Sequence, residues 1–218
     1  MSAPNLLVIF NRAAEDEVCK LFLPYWKRSG CDILCSSPLD AKSQLAGVEH
    51  CYFGKQLQAS RATWWWYQAR VLETMELCLT LDYQGFIFTQ YDSICLGPLP
   101  LIEPLDSIHR LVGGAAAPFA SSFFLHPPWC FGWRRLEEFV EAAAHYDIET
   151  TETGIMDRWL SLIIEKDCMP FTKCQWGWSC NSIDTPEYVA CARQAIANGC
   201  LFVHGVKNKQ QLDSILTL

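Results

Sequence analysis

Two strand-like runs separated by one helix's length of chain constrain this protein most. Residues 5–10, Asn-Leu-Leu-Val-Ile-Phe, form an unbroken apolar run with β-branched members. Such a run suits a strand buried on both faces. Residues 13–27 then read as a helix, with Val18, Leu21, Phe22 and Tyr25 on one face and Gly30 as the stop. Cys31-Asp-Ile-Leu-Cys-Ser36 is a second strand, followed by the turn Ser37-Pro38. Strand, helix and strand within 36 residues imply a parallel pair with a right-handed crossover.

The rest of the chain keeps that alternation. Residues 48–53 read as a short strand, 59–81 as the longest helix and 85–89 as a third buried strand. A further strand is read at 111–113, then a loop of small and aromatic residues at 114–133. Helices are expected at 136–145, at 154–166 with Thr153 as N-cap, and at 186–198 with Thr185 as N-cap and Pro186 at the first helical position. A last strand at 201–203 leads into His204-Gly-Val-Lys207, and the polar residues 208–211 read as surface loop. Strands alternating with helices give the α/β class, and one domain over residues 1–218 is the simplest account.

Composition sets the broad class. Half of the 218 residues are hydrophobic and 19% are charged, which a folded core requires. A chain of this length buries roughly 70% of its unfolded surface. The net charge of −7 argues against nucleic acid as a partner, since phosphate neutralisation needs a basic face. No apolar stretch reaches the roughly 18 residues of a membrane span, and the N-terminus lacks the pattern of a signal peptide. The expectation is a soluble, cytoplasmic protein. Many of the twelve cysteines sit inside apolar runs and no C-x2-C pair occurs, so they read as reduced buried thiols rather than as disulfides or a zinc site.

In open α/β sheets, ligands bind at the carboxyl ends of the strands. Applied here, that rule selects Asn11 and Arg12, Ser36 and Ser37, the segment Gln90-Tyr91-Asp92-Ser93, and residues 204–207. Asp92 can ligate a hard divalent cation that holds two phosphates, or it can be a turn aspartate. His204 can complete a metal site and Lys207 can neutralise a phosphate, or both can lie on a plain surface loop. Asp157 falls in the first turn of a helix, where the dipole keeps a carboxylate ionised. It can serve as a general base or simply support the helix. Among the aromatics, Trp129, Trp176 and Trp178 in Pro/Gly-rich loops are the candidates for a sugar-stacking platform.

These residues resemble a known family. The run from Gly85 through Ser93 is similar to the strand-then-acidic-motif segment of GT-A glycosyltransferases. Gly113-Gly114 through Trp129, Gly154-Ile-Met-Asp-Arg-Trp159 and His204-Gly-Val-Lys207 follow in the order such enzymes use. The resemblance implies a Rossmann-like, mixed but mostly parallel central sheet flanked by helices. It implies a nucleotide-binding part over about residues 1–110 and an acceptor and catalytic part over about 111–218. It also implies sugar transfer from a nucleotide-diphosphate donor, with UDP favoured, to a glycan or other hydroxyl acceptor.

By the same resemblance Phe10, Asn11 and Ser36 would lie near the base, and Gln90, Tyr91 and Ser93 would line the donor site with Asp92. Asp92 and His204 would hold manganese or magnesium, and Lys207 would contact the diphosphate. Asp157, with Arg158 beside it, would be the base of an inverting transfer. One departure stands out: the first position of the acidic motif is Gln90, a neutral and poorer cation ligand. This points to a metal that binds weakly, binds only with the nucleotide or is dispensable. Two rivals remain. One is a catalytically degenerate nucleotide-sugar-binding or interaction domain. The other is a nucleotidyltransferase, which lacks support because the turn after the first strand is acidic and has no glycine. P-loop, dinucleotide-binding and G-x-S-x-G hydrolase motifs are absent from the sequence.

Overall fold

The apolar run at residues 5–10 is the centre of the sheet. In a computed structural model, which describes residues 4–11, 16–38, 47–54, 63–112, 124–146, 156–180 and 182–217, it forms β1 (Asn5–Phe10), buried throughout. Helix α1 (Asp16–Trp26) leads to β2 (Asp32–Pro38), which pairs parallel with β1. Then come β3 (His50–Gly54), α2 (Thr63–Cys78), β4 (Gly85–Gln90) and the short β5 (Ser93–Cys95). The second half runs β6 (Ser107–Val112), β7 (Phe124–Gly132), α3 (Trp133–Ala143), α4 (Met156–Lys166), β8 (Thr172–Lys173), β9 (Gly177–Ser179), α5 (Pro186–Ala197), β10 (Phe202–His204) and α6 (Lys209–Leu216).

Seven strands build the main sheet in the order β3-β2-β1-β4-β7-β6-β8, with β7 antiparallel to both neighbours. Three more form a small sheet, β5-β10-β9. This is the expected α/β class with a mostly parallel central sheet flanked by helices. Alternate residues of β1 feed opposite faces, as strand geometry requires. Leu7 and Ile9 pack with Phe22 and Trp26 of α1 and with Val203 of β10. Leu6, Val8 and Phe10 pack with Val71 and Met75 of α2, Phe139 of α3 and Trp159 of α4. Both faces are covered, so the strand reads as a continuous apolar run.

Several expectations are corrected. The segment read as loop up to residue 133 contains β7, which lies inside the sheet between β4 and β6. Proline normally argues against an interior strand, because it cannot donate to the ladder. Here Pro127 and Pro128 fall in a bulge: the register steps from His109 opposite Trp129 to Arg110 opposite His126, skipping both prolines. Trp129 is accordingly buried at 0% exposure and cannot stack on a sugar. Trp176 packs edge-on against Phe202, and Trp178 lies in β9. The strand expected at 111–113 is the longer β6.

The polar residues 208–211 begin a helix rather than a loop. Asn208 caps α6 by accepting from the Gln211 N–H, and Leu212 and Ile215 anchor it. The cap at Thr185, accepting from Tyr188, stands as expected. Thr153 and the aromatic side chains at 64–67 lie outside the described residues and side chains. All twelve cysteines are free thiols, eight of them buried. Among the described residues, no helix is long and apolar enough to cross a membrane.

Candidate functional site

The order β2-β1-β4 places a crossover to either side of β1, so the crevice at its carboxyl edge is the switch point of the sheet. Backbone bonds tie that edge together: the Asn11 N–H donates to the Ser36 carbonyl at 2.8 Å and the Tyr91 N–H to the Phe10 carbonyl at 3.1 Å. Asn11 donates through Nδ2 to Ser37 Oγ at 3.5 Å, and Ser36 Oγ bonds Thr74 Oγ1 at 2.9 Å. The Phe10 ring belongs to the core and lies 6.1 Å from Phe88, so only its backbone reaches the edge. Tyr91 and Ser93 are also buried. The Ser93 hydroxyl bonds Thr89 Oγ1 at 2.7 Å, and its carbonyl accepts from Trp26 Nε1 at 2.6 Å. They shape the turn that aims Asp92.

Asp92 has 0% exposure and is the hub of the site. The antiparallel pairing of β10 with β5 sets His204 opposite Ser93 and draws the two distant segments together. The Asp92 carbonyl accepts from the N–H groups of Gly205 (3.0 Å) and Val206 (2.9 Å). Gly205 needs its φ of +100°, and a Cβ there would come within 2.6 Å of the Cys180 carbonyl oxygen. The turn then returns Lys207, whose Nζ donates to Asp92 Oδ2 at 2.7 Å. His204 Nε2 stands 3.2 Å from Asp92 Oδ1 and bonds Gln90 Oε1 at 3.3 Å.

Electrostatics follow from this packing. Burial alone would raise the Asp92 pKa, but His204 and then Lys207 outweigh it and hold the carboxyl well below the usual carboxylate range. Asp92 Oδ1 is fully buried and has only the His204 Nε2 at 3.2 Å beside it.

That oxygen, with one imidazole as its neighbour, is the test of fit for a divalent cation. A buried carboxylate oxygen in need of a positive partner, an imidazole nitrogen 3.2 Å away and an amide oxygen beside both make an O/N donor set suited to manganese or magnesium. The set is lean. Gln90 brings no charge, and Lys207 already neutralises the other carboxylate oxygen. Among the described residues, no group of three or more His, Cys, Asp or Glu side chains could hold a metal.

Three partners were not visible in the sequence. Arg70 of α2, 7% exposed, donates to the Asn11 carbonyl at 2.7 Å and puts a guanidinium at the β1 end of the crevice. Gly54 makes room for it, since a Cβ there would meet Arg70 Cγ at 2.7 Å. Ser179 of β9 and His126 of β7 lie behind His204: Ser179 Oγ is 2.9 Å from His204 Nδ1 and 3.1 Å from His126 Nδ1. Local patterns carry no signal for them, because β7 and β9 only become neighbours of β10 in the fold. Asp157 and Arg158 lie in the first turn of α4, as expected, but their side chains are outside the described ones. Arg12 also lies outside the described residues.

The fold and site thus define a mixed α/β protein with a Rossmann-like sheet and, at its switch point, a buried Asp92–His204 pair joined by the half-exposed Lys207. No protein-family model matches the chain, and no curated protein matches it significantly in sequence.

Proposed function

We propose that the protein is a glycosyltransferase that binds a nucleotide-diphosphate sugar, with UDP favoured, and transfers the sugar to a hydroxyl acceptor. The observation that carries this reading is the 2.7 Å ion pair between fully buried Asp92 and Lys207 at the carboxyl edge of β4. A buried carboxylate needs a counter-charge whatever its role; here the counter-charge stands at the strand-end crevice. A carboxylate that fixes a half-exposed ammonium at the rim of a switch-point crevice builds a preorganised anion site. Lys207, with 40% of its side chain exposed, is free on its outer side to meet a diphosphate. Asn11, Ser36 and Arg70 furnish polar groups for the nucleoside end.

Each residue then has a task. Lys207 and the His204 ring neutralise charge that grows on the departing diphosphate. Asp157 is assigned the base's role: it accepts the acceptor hydroxyl's proton as that oxygen bonds the anomeric carbon and the carbon–phosphate oxygen bond breaks. A divalent cation, when bound, would be held by Asp92 Oδ1 and His204 Nε2 and would polarise the phosphate oxygens. The lean donor set supports weak metal dependence.

Screening UDP-, GDP-, dTDP- and CMP-sugars by thermal shift, with and without manganese, tests the donor. A ligand at 100 times its Kd stabilises by about 2.7 kcal/mol. Transfer of labelled sugar should fall about 10²- to 10⁴-fold in Asp157→Ala. No stabilisation and no transfer with any donor would overturn the reading. Binding without transfer would leave the second reading, a degenerate nucleotide-sugar-binding domain, which the neutral Gln90 favours.

A further inference from the structure

Arg110 is a cation without a counter-ion. It lies near the carboxyl end of β6, at the bulge, where it pairs with His126 of β7. Its Nε is sealed from solvent and has no hydrogen-bond partner. The residue as a whole is only partly buried, so the outer end of the guanidinium meets solvent. Among the described residues, no carboxylate forms an ion pair with it. A guanidinium drawn toward the interior normally has a counter-charge.

The sequence explains why this one has none. Residues 107–136, 168–183 and 188–212, which supply β6, β7, β8, β9 and β10, contain no Asp or Glu. The groups that feel the Arg110 charge are His126, Cys174 and Cys200, and burial keeps each of them neutral. Asp92 is already engaged by His204 and Lys207. Position gives the unpaired charge a meaning. Strands β4 and β6 are both antiparallel to β7, so their carboxyl ends share one edge of the sheet. His126 Nδ1 bonds Ser179 Oγ at 3.1 Å, and Ser179 Oγ bonds His204 Nδ1 at 2.9 Å. That link sets Arg110 on the β6 side of the crevice and Asp92 and Lys207 on the β4 side.

We propose that Arg110 is an anion-binding residue of the acceptor subsite, so that the acceptor hydroxyl belongs to a molecule carrying a carboxylate or phosphate group. This rests on the reading of the protein as a glycosyltransferase, in which Lys207 takes the donor diphosphate. The two cations then divide the edge, one for each substrate. A planar guanidinium matches the paired oxygens of a carboxylate or phosphate, which a lysine does not. An arriving anion supplies the counter-charge that the surrounding strands lack. Arg110 stands at a strand end, where ligands of open α/β sheets bind.

NMR of the arginine Nε–H groups in the whole, ligand-free protein tests this. The probes are inorganic phosphate, glucuronate and neutral glucose, at constant ionic strength. The Arg110 signal is identified by its absence from Arg110→Lys. Expected is a saturable shift of that signal with phosphate, with glucuronate or with both, and none with glucose. Phosphate alone marks a phosphorylated acceptor, and glucuronate alone a sugar acid. Arg110→Gln should weaken binding of the responding anion at least about tenfold, read from the His126 backbone amide, as a hydrogen bond to a charged group is lost. Arg110→Lys, which keeps the charge but not the fork, should also bind more weakly and serves if the glutamine variant does not fold. No saturable shift with either anion, an equal response to glucose, or undiminished binding in both variants would each overturn the proposal. Failure here with donor binding intact removes the anionic acceptor alone. Failure of the donor screen with the anion response intact removes the transfer reading and leaves Arg110 an anion site.

Discussion

Two buried histidines, His109 and His204, each bond a serine hydroxyl and otherwise sit in very different surroundings. Ser107 Oγ meets His109 Nε2 at 2.7 Å on β6, and Ser179 Oγ meets His204 Nδ1 at 2.9 Å between β9 and β10. His109 is wrapped by Phe131, 4.8 Å away, and Phe171, 5.9 Å away, and its Nδ1 has no partner. Desolvation drives its pKa down to about 3. His204 instead faces Asp92, Gln90 and a second imidazole, and its network reaches the surface through Lys207. The same residue pair is an inert core element where its neighbours are aromatic, and a candidate working group where they carry charge. Residue type sets what a histidine can do, and its surroundings set what it does.

Breaking the charged network should have the largest effect. Lys207→Met leaves the Asp92 carboxylate buried without its ammonium. It should cost about 3 kcal/mol in urea unfolding, the lower end for a broken buried pair because Lys207 is itself 40% exposed.

Next comes acid. His109 has a lowered folded-state pKa, so its contribution is complete above the unfolded value near 6.5 and is lost as pH falls toward about 3. Between pH 6.5 and pH 5 the His109→Phe variant should lose about 2 kcal/mol less stability than wild type. Asp92, also depressed, acts in a separate window. Its contribution is present above the unfolded carboxylate value of about 3.9 and fades only below it. Equal losses in wild type and His109→Phe would erase the distinction between the pairs.

Ligand binding offers a sharper contrast of smaller size. His204→Phe should weaken UDP binding about tenfold by calorimetry, the worth of one hydrogen bond to a charged group, whereas His109→Phe should leave it unchanged. The smallest effect is expected at Lys209, whose 2.5 Å pair with Asp213 is exposed on both sides. Lys209→Met should shift stability by less than about 0.5 kcal/mol.

Much of the fold was legible. Strands β1, β2 and β4 announce themselves because both faces of a central parallel strand are apolar, and α5 because Thr185-Pro186 is a start signal with a mechanism. β7 was hidden because Pro127-Pro128 forbids an interior strand unless the ladder bulges around them, and the bulge is a property of the partner strand's register. Helix α6 was hidden because its first turn is polar and only Leu212 and Ile215 mark its buried side.

The strand-end rule also picked out Asp92, His204 and Lys207, which the fold brings into one cluster. It missed Arg70, Ser179 and His126, because Arg70 lies inside a helix and neither β7 nor β9 was read as a strand. The sequence by itself determined the α/β alternation, the apolar sheet and the polar residues at its carboxyl edge, since those depend on periodicity and on local caps and stops. Only the tertiary structure decided that β10 pairs with β5 and that Ser179 sits between two imidazoles. Contacts between segments distant in the chain are fixed by packing, which no local pattern records.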